Sequence, residues 1–282
     1  MIIDIHTHTF PEHIAARALA ALQANCHTAL FSDGTEASLR ACEARAGVDL
    51  AVVQPVATYP DQVSRINKAV LARPPRPREG VLSFGAMHPA CPVWEAELEQ
   101  LAAAGVPGIK LHTPFAEVDM DDPRTVAVLK KCRGLGLLVL IHSGWDIGLP
   151  GRAEALPAKI RRAMDAAGPV RLIAGHMGGW RCWEEAARLL PETGVCLDTS
   201  FSLGTLTPAP DDPPRKREDL EMLSPSDFCA LIDAFGADHV LFGTDSPWAD
   251  PAAELRALRA LPLPKADLTA ILGENARALL GL

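Results

Sequence analysis

Eight short apolar runs punctuate the chain, at about residues 2–8, 50–53, 81–86, 108–112, 137–142, 170–176, 195–199 and 239–245. Helical patterns fill the intervals, at about 12–24, 36–46, 61–73, 93–103, 124–133, 153–167 and 180–190, with two more from about 252 and 266. Pro74-Pro75 is expected to stop the third of these helices. The clearest run is Leu137-Leu138-Val139-Leu140-Ile141-His142, apolar without interruption until its histidine. A strand that alternates apolar with polar residues has one wet face. Strands apolar throughout belong to a sheet covered on both faces, as parallel β/α units produce. Eight such units predict closure into a (β/α)8 TIM barrel, and 282 residues suit that fold's roughly 250-residue scale as one domain, 1–282. A doubly wound open sheet is the competing arrangement. It requires a glycine-rich turn after the first strand, and His6-Thr7-His8-Thr9 stands there instead.

One connection is long. Residues 201–223, after the seventh strand, are rich in Pro, Asp and Arg and carry little periodicity. Loops of this length are functional covers or disordered excursions, and this one leaves the barrel on the face where active sites form, so we read it as a lid.

Composition removes several classes of function. A net charge of −8 and a sequence pI near 5.6 argue against nucleic-acid binding, which depends on cationic neutralisation of phosphates. The short pair Lys216-Arg217 is diluted by Asp211, Asp212, Glu218 and Asp219. Seven scattered cysteines without a C-x-x-C pair fit reduced thiols and offer neither a disulfide framework nor a cysteine zinc site. No apolar run approaches the roughly 20 residues needed to span a bilayer. With a strand starting at Ile2, no room for a secretory signal is apparent, and a cytoplasmic location is expected.

The chemistry-bearing residues collect where these strands end. Side chains two apart on a strand share a face, so His6 and His8 can aim both imidazoles at one point. His142 ends the fifth run, His176 the sixth and Asp245 the eighth, with Lys110 near the end of the fourth. A single histidine in such a place is commonly structural. Four histidines and a carboxylate at strand ends, on the face where barrel enzymes carry their active sites, point to a metal. Imidazole and carboxylate donors suit zinc first and also tolerate manganese, iron or cobalt. A catalytic ion activates water, and Asp245 or His176 is placed to handle the proton.

This pattern resembles the amidohydrolase superfamily, and within it the amidohydrolase-2 group, which includes aminocarboxymuconate-semialdehyde decarboxylase and related hydrolases. The phrases Gly108-Ile109-Lys110-Leu111-His112, Ile141-His142-Ser143-Gly144, Phe242-Gly243-Thr244-Asp245-Ser246-Pro247 and Gly273-Glu274-Asn275-Ala276-Arg277 carry the likeness along the full length. It implies that His6, His8, His142 and Asp245 ligate one divalent ion and that His176 carries protons beside it. Lys110 is open to three readings: pairing with a substrate carboxylate, which the group favours; carboxylation to bridge two ions, with His176 joining the ligands; or a salt bridge in the barrel mouth. The group also suggests a homodimer.

Trp145, Trp180 and Trp248 follow the ligand residues and suggest either a planar apolar wall for a ring or a seal over the barrel. Trp145 and Trp180, with Lys110, are the expected substrate contacts. His88 and His112 stand at the right end of the barrel, Arg152 and Arg181 are placed to bind a carboxylate, and His13, His27 and His239 read as structural or solvated. The expected activity is hydrolysis of a small amide, ester or lactone by metal-activated water. The alternative is non-oxidative decarboxylation of a small aromatic or unsaturated acid, with the same ligands. A metal-binding barrel without catalysis comes last.

Overall fold

The computed structural model describes residues 1–73 and 76–282. The expected Pro74-Pro75 stop lies outside the described residues. Among the described residues nine strands form: β1 (Ile3–Thr7), β2 (Leu50–Val53), β3 (Val81–Ser83), β4 (Gly85–Met87), β5 (Gly108–Leu111), β6 (Leu138–Ile141), β7 (Leu172–Ala174), β8 (Cys196–Asp198) and β9 (Val240–Leu241). Each pairs in parallel with its neighbour in two arcs, β1-β2-β3 and β4 through β9.

The third expected strand is therefore two, broken at Phe84. Strands in a barrel tilt and stagger, so a short segment meets one neighbour along its first half and the other along its second. β3 pairs only with β2 and β4 only with β5, while Phe84 N–H still donates to Val53 O at 3.0 Å. The ring closes between the first strand and the last. Ile5 N–H donates to Phe242 O, Asp245 N–H to His6 O and His8 N–H to Ser246 O, at 2.9, 2.7 and 2.7 Å.

Along β6, Leu138 and Leu140 join Ile3, Ile5, Leu50, Val52, Leu82, Phe84, Ile173 and Leu241 inside the ring, whereas Val139 and Ile141 pack outward with the helices. Both faces of each strand are covered, which is why the runs read as unbroken apolar sequence. Burying one such aliphatic side chain contributes roughly 1.5–3 kcal/mol.

β1 contains an irregularity that aims the site. Asp4 pairs with Ala51 and Thr7 with Val53, so β1 holds one extra residue between them. Such a bulge breaks simple alternation. Ile3 and Ile5 point into the ring, and yet His6 also turns inward, at its upper end.

Helix starts carry recognisable caps: Thr35 accepts from Ser38 N–H, Asp122 from Arg124 N–H and Asp250 from Ala252 N–H. The helix expected at 153–167 begins only at Pro157, and the one expected at 180–190 spans Trp183–Leu189. Residues 175–182 instead form a turn with positive φ at His176, Met177 and Arg181. Helix Pro225–Phe235, capped by Ser224, is an element that the sequence reading left unplaced. Residues 201–223 fold into a hairpin-like excursion: Gly204 N–H donates to Leu223 O at 3.0 Å and Leu206 N–H to Leu220 O at 2.9 Å. Ala29 N–H to Thr207 O and Ala209 N–H to His27 O tie it to the loop after the first helix, Glu12–Cys26. Among the described residues no helix is long and apolar enough to cross a membrane.

Candidate metal centre

At the C-terminal mouth of the ring, His6, His8 and Asp245 bring three ligand atoms within 4.8 Å of one another. Asp245 Oδ1 lies 3.1 Å from His8 Nε2 and 3.5 Å from His6 Nε2, and the two Nε2 atoms are 3.2 Å apart. Asp245 itself sits at φ 64°, and His176 at φ 57°. These are uncommon conformations for residues with a Cβ, and they are held only where the surroundings enforce them. Two glycines make room for the His6 ring: a Cβ on Gly175 would lie 3.3 Å from His6 Cε1, and one on Gly243 3.1 Å from His6 Cβ.

Each imidazole is tied at its outer nitrogen. His6 Nδ1 faces Asp198 Oδ2 at 2.9 Å, and His8 Nδ1 faces Gln54 O at 2.7 Å. His142 Nε2 faces Trp145 O at 3.1 Å, and His176 Nδ1 faces Ser200 O at 3.2 Å. All four partners are acceptors, so each outer nitrogen is assigned the N–H, and the other nitrogen of each ring turns inward. His142 Nδ1 and His176 Nε2 thus meet at 3.1 Å. Burial, and for His176 then the neighbouring His142, lowers the pKa of both rings, that of His176 to about 3. Two neutral rings that both offer lone pairs at this separation repel one another unless a cation or proton lies between or beside them. Burial and then the Lys110 ammonium hold His6 well below the ordinary histidine range. For Asp245, burial pushes the pKa up, but the contact with His8 and the nearby imidazoles outweigh it and hold the carboxylate well below its usual range. The donor set is therefore anionic, convergent and rich in lone pairs, which fits a divalent ion.

His142 stands beside His176, outside the tight trio of His6, His8 and Asp245. Lys110 is fully enclosed, and its Nζ donates to His6 Nε2 at 2.7 Å. Burial lowers its pKa to about 8, against the opposing pull of Asp245, Asp198 and Asp146. Trp180 and Trp248 share an apolar cluster with Phe201, Leu206 and Ile147, and the Trp180 and Phe201 ring centroids lie 6.3 Å apart. Trp145 is outside that cluster with its side chain 37% exposed, and it serves the site through its carbonyl. The Arg181 guanidinium lies 5.1 Å over the Trp180 ring, while Arg152 pairs with Glu117 and Glu154. His88 is buried and accepts from Ala90 N–H. His112 stacks on His142 at 4.7 Å, and its Nε2 lies 3.4 Å from Asp146 Oδ2.

The family model described as Amidohydrolase matches residues 3–282. The chain belongs to the amidohydrolase family. Solved structures of this family share the amidohydrolase's fold at low sequence identity. The 5-carboxyvanillate decarboxylase of Sphingomonas paucimobilis is 15% identical, with 100% of this chain and 99% of that one covered and a TM-score of 0.66. A dihydroxybenzoic acid decarboxylase from Polaromonas, solved with manganese and 2-nitroresorcinol, is 13% identical over 100% and 97%, at 0.64. A protein from Pseudomonas putida assigned as a 2-pyrone-4,6-dicarboxylic acid hydrolase is 16% identical over 99% and 97%, at 0.63. No curated protein sequence matches the chain.

Sequence reasoning missed Asp198, Ser200, Gln54 and Asp146. Asp198 had one available signal, as a carboxylate at the end of the seventh apolar run. Gln54 contributes only its backbone carbonyl to His8, which no side-chain motif can announce.

Proposed function

We propose that this amidohydrolase is a metal-dependent non-oxidative decarboxylase of a small aromatic or unsaturated acid. The observation that carries this reading is the buried Lys110 ammonium, which donates to His6 Nε2, in a site whose flanking segments after His176, Ser200 and Asp245 carry an apolar cluster of Trp180, Phe201, Leu206 and Trp248. A carboxylate bound beside the ligands would meet a fixed positive charge, and the ring behind it an apolar, planar surface. His6, His8, His142 and Asp245 would hold one divalent ion, which when bound supplies Lewis acidity and orients the substrate's oxygens. Lys110 donates to the carboxylate that is to leave. His176, its Nδ1–H anchored on Ser200 O, presents Nε2 as the atom that takes up a proton and delivers it to the carbon as the C–C bond breaks and CO2 departs. The 201–223 excursion acts as the lid that keeps water from that carbon, through Phe201 and Leu206.

Hydrolysis, which the sequence puts first, uses the same ligands, and the Pseudomonas putida neighbour keeps it as the second reading. It ranks lower because the segments after His176 and Asp245 carry Trp180 and Trp248 in an aromatic cluster with Phe201, and two of the neighbours named above are decarboxylases of ring acids. The deciding experiment incubates metal-loaded enzyme with 2,6-dihydroxybenzoate, 5-carboxyvanillate and a set of lactones and amides. We expect CO2 from a ring acid, abolished by chelation. New carboxylate from a lactone or amide, with no CO2 from any acid, would replace this reading with the hydrolytic one. Elemental analysis of protein purified without chelators or added metal reads the ion, zinc by donor type or manganese as in the Polaromonas neighbour.

A further inference from the structure

Behind the ligands lies a buried polar group centred on Asp198, the last residue of β8. Its Oδ2 accepts from His6 Nδ1–H at 2.9 Å. Its Oδ1 accepts from the backbone N–H of His176 at 3.1 Å, from Ser200 N–H at 3.1 Å and from the Ser200 hydroxyl. Its own carbonyl accepts from Met177 N–H at 2.8 Å. The Ser200 Oγ, having spent its proton on Asp198, faces the Nδ1–H of both His6 and His176 at 3.1 Å. Asp198, Ser200, His6 and His176 are all buried among the described residues.

We infer that Asp198, with Ser200, is a shared positioning device for both the metal ligand His6 and the proton carrier His176. The inference rests on the metal-centre reading above. The two rings are otherwise carried by different segments, β1 and the turn after β7; the His176 Nδ1–H is held by the Ser200 carbonyl and also faces its hydroxyl, whereas the two remaining inward imidazoles hang on carbonyls outside this group, His8 on Gln54 O and His142 on Trp145 O. One carboxylate therefore sets the tautomer of His6 directly. It bears on that of His176 through Ser200, whose hydroxyl it orients, and it also braces the strained backbone at His176, where φ is 57°. A side chain with this role moves two specific rings when it is altered and leaves the other two where they are. General loosening of the barrel mouth moves all four.

The test uses the full chain with Zn2+ as the probe and needs no substrate. In metal-free protein labelled with 15N-histidine, NMR shows which ring nitrogen of each imidazole carries the proton. Asp198→Asn should change the protonated nitrogen of His6 and His176 together, with the Nδ1–H of His8 and the Nε2–H of His142 kept in place, and should weaken Zn2+ binding about 10–100-fold by titration. Ser200→Ala removes only the hydroxyl and keeps the backbone donor. It should shift the same two rings, with less than about a tenfold loss of Zn2+ affinity, and it decides the matter if Asp198→Asn does not fold. Movement of all four rings, of only one, or of none, in a protein with wild-type Zn2+ affinity, would overturn the inference while leaving the metal centre standing. Failure of the wild-type chain to bind Zn2+ at all would instead remove the metal-centre reading on which it rests.

Discussion

Gly144 is the position where a single methyl group tests the geometry of the site most directly. It follows His142-Ser143, sits at φ 85°, and a Cβ there would lie 2.2 Å from Trp180 N, 2.4 Å from Trp180 O and 2.5 Å from Gly179 C. These are backbone atoms, so no rotamer change relieves the overlap. The two segments must part by more than an ångström, which breaks Trp180 N–H to Ser143 O, now 2.8 Å, and Trp145 N–H to Trp180 O, now 3.0 Å. A left-handed conformation costs a residue with a Cβ about 1–2 kcal/mol, and each lost backbone hydrogen bond about 1 kcal/mol. Gly144→Ala should therefore destabilise the protein by about 3–4 kcal/mol, a large part of the roughly 5–15 kcal/mol typical of a folded protein. The same separation moves Trp145 O, which anchors His142, so metal content should fall as well. Urea unfolding followed by circular dichroism reads the first effect and elemental analysis the second. A loss below about 1 kcal/mol with full metal content would refute the claim that these two loops are locked backbone to backbone.

The remaining predictions concern the ligands and one acid remote from them. His6→Ala and Asp245→Ala should abolish tight metal binding while circular dichroism still reports the folded barrel; either variant retaining stoichiometric metal would remove that residue from the ligand set. His176→Asn should keep the metal and lose about 10²–10⁴-fold in turnover, measured on whichever acid releases CO2. A variant that lost its metal would move His176 into the ligand set and revive the carboxylated form of Lys110. Glu43 is buried with neither carboxyl oxygen accepting a hydrogen bond, and burial, with the Asp4 carboxylate beside it, pushes its pKa far up. Because the folded pKa lies above the unfolded one, its contribution is fully present below the unfolded carboxyl range and is lost as pH rises, by at most roughly 1.4 kcal/mol per pH unit. Glu43→Gln should therefore flatten the fall in urea midpoint between about pH 6 and 9; an unchanged slope would show that Glu43 does not titrate in the folded state.

The fold was legible because parallel strands buried on both faces leave an unmistakable trace: Leu138 and Leu140 inside the ring, Val139 and Ile141 under the helices, and no polar residue between them. The candidate site positions were legible for a related reason, since His142, His176 and Asp245 interrupt or end apolar runs where apolar residues would otherwise continue. Asp198 ends such a run too, but its role exists only through partners such as His6, 192 positions away, and nothing local to it announces that contact. The break at Phe84 was hidden because strand tilt and stagger, which no residue encodes by itself, decide which neighbour each half of the segment meets.

The histidine pair shows how a reading can arrive at a convergent cluster by an incomplete route. Strict alternation puts Asp4 on the same face as His6, and Ile3 and Ile5 on the other. In the structure Ile3 and Ile5 fill the ring, Asp4 is paired in register with Ala51 and lies beside Glu43, and the extra residue before Thr7 brings His6 inward after all. The chain then closes on itself through Asp245 N–H to His6 O and His8 N–H to Ser246 O, so the candidate donors His6, His8 and Asp245 meet only when the first and last strands are joined. A divalent ion held there binds the closed barrel and finds no comparable cluster in the open chain. Its binding free energy is therefore added to the stability of closure, in proportion to the logarithm of free metal over its dissociation constant.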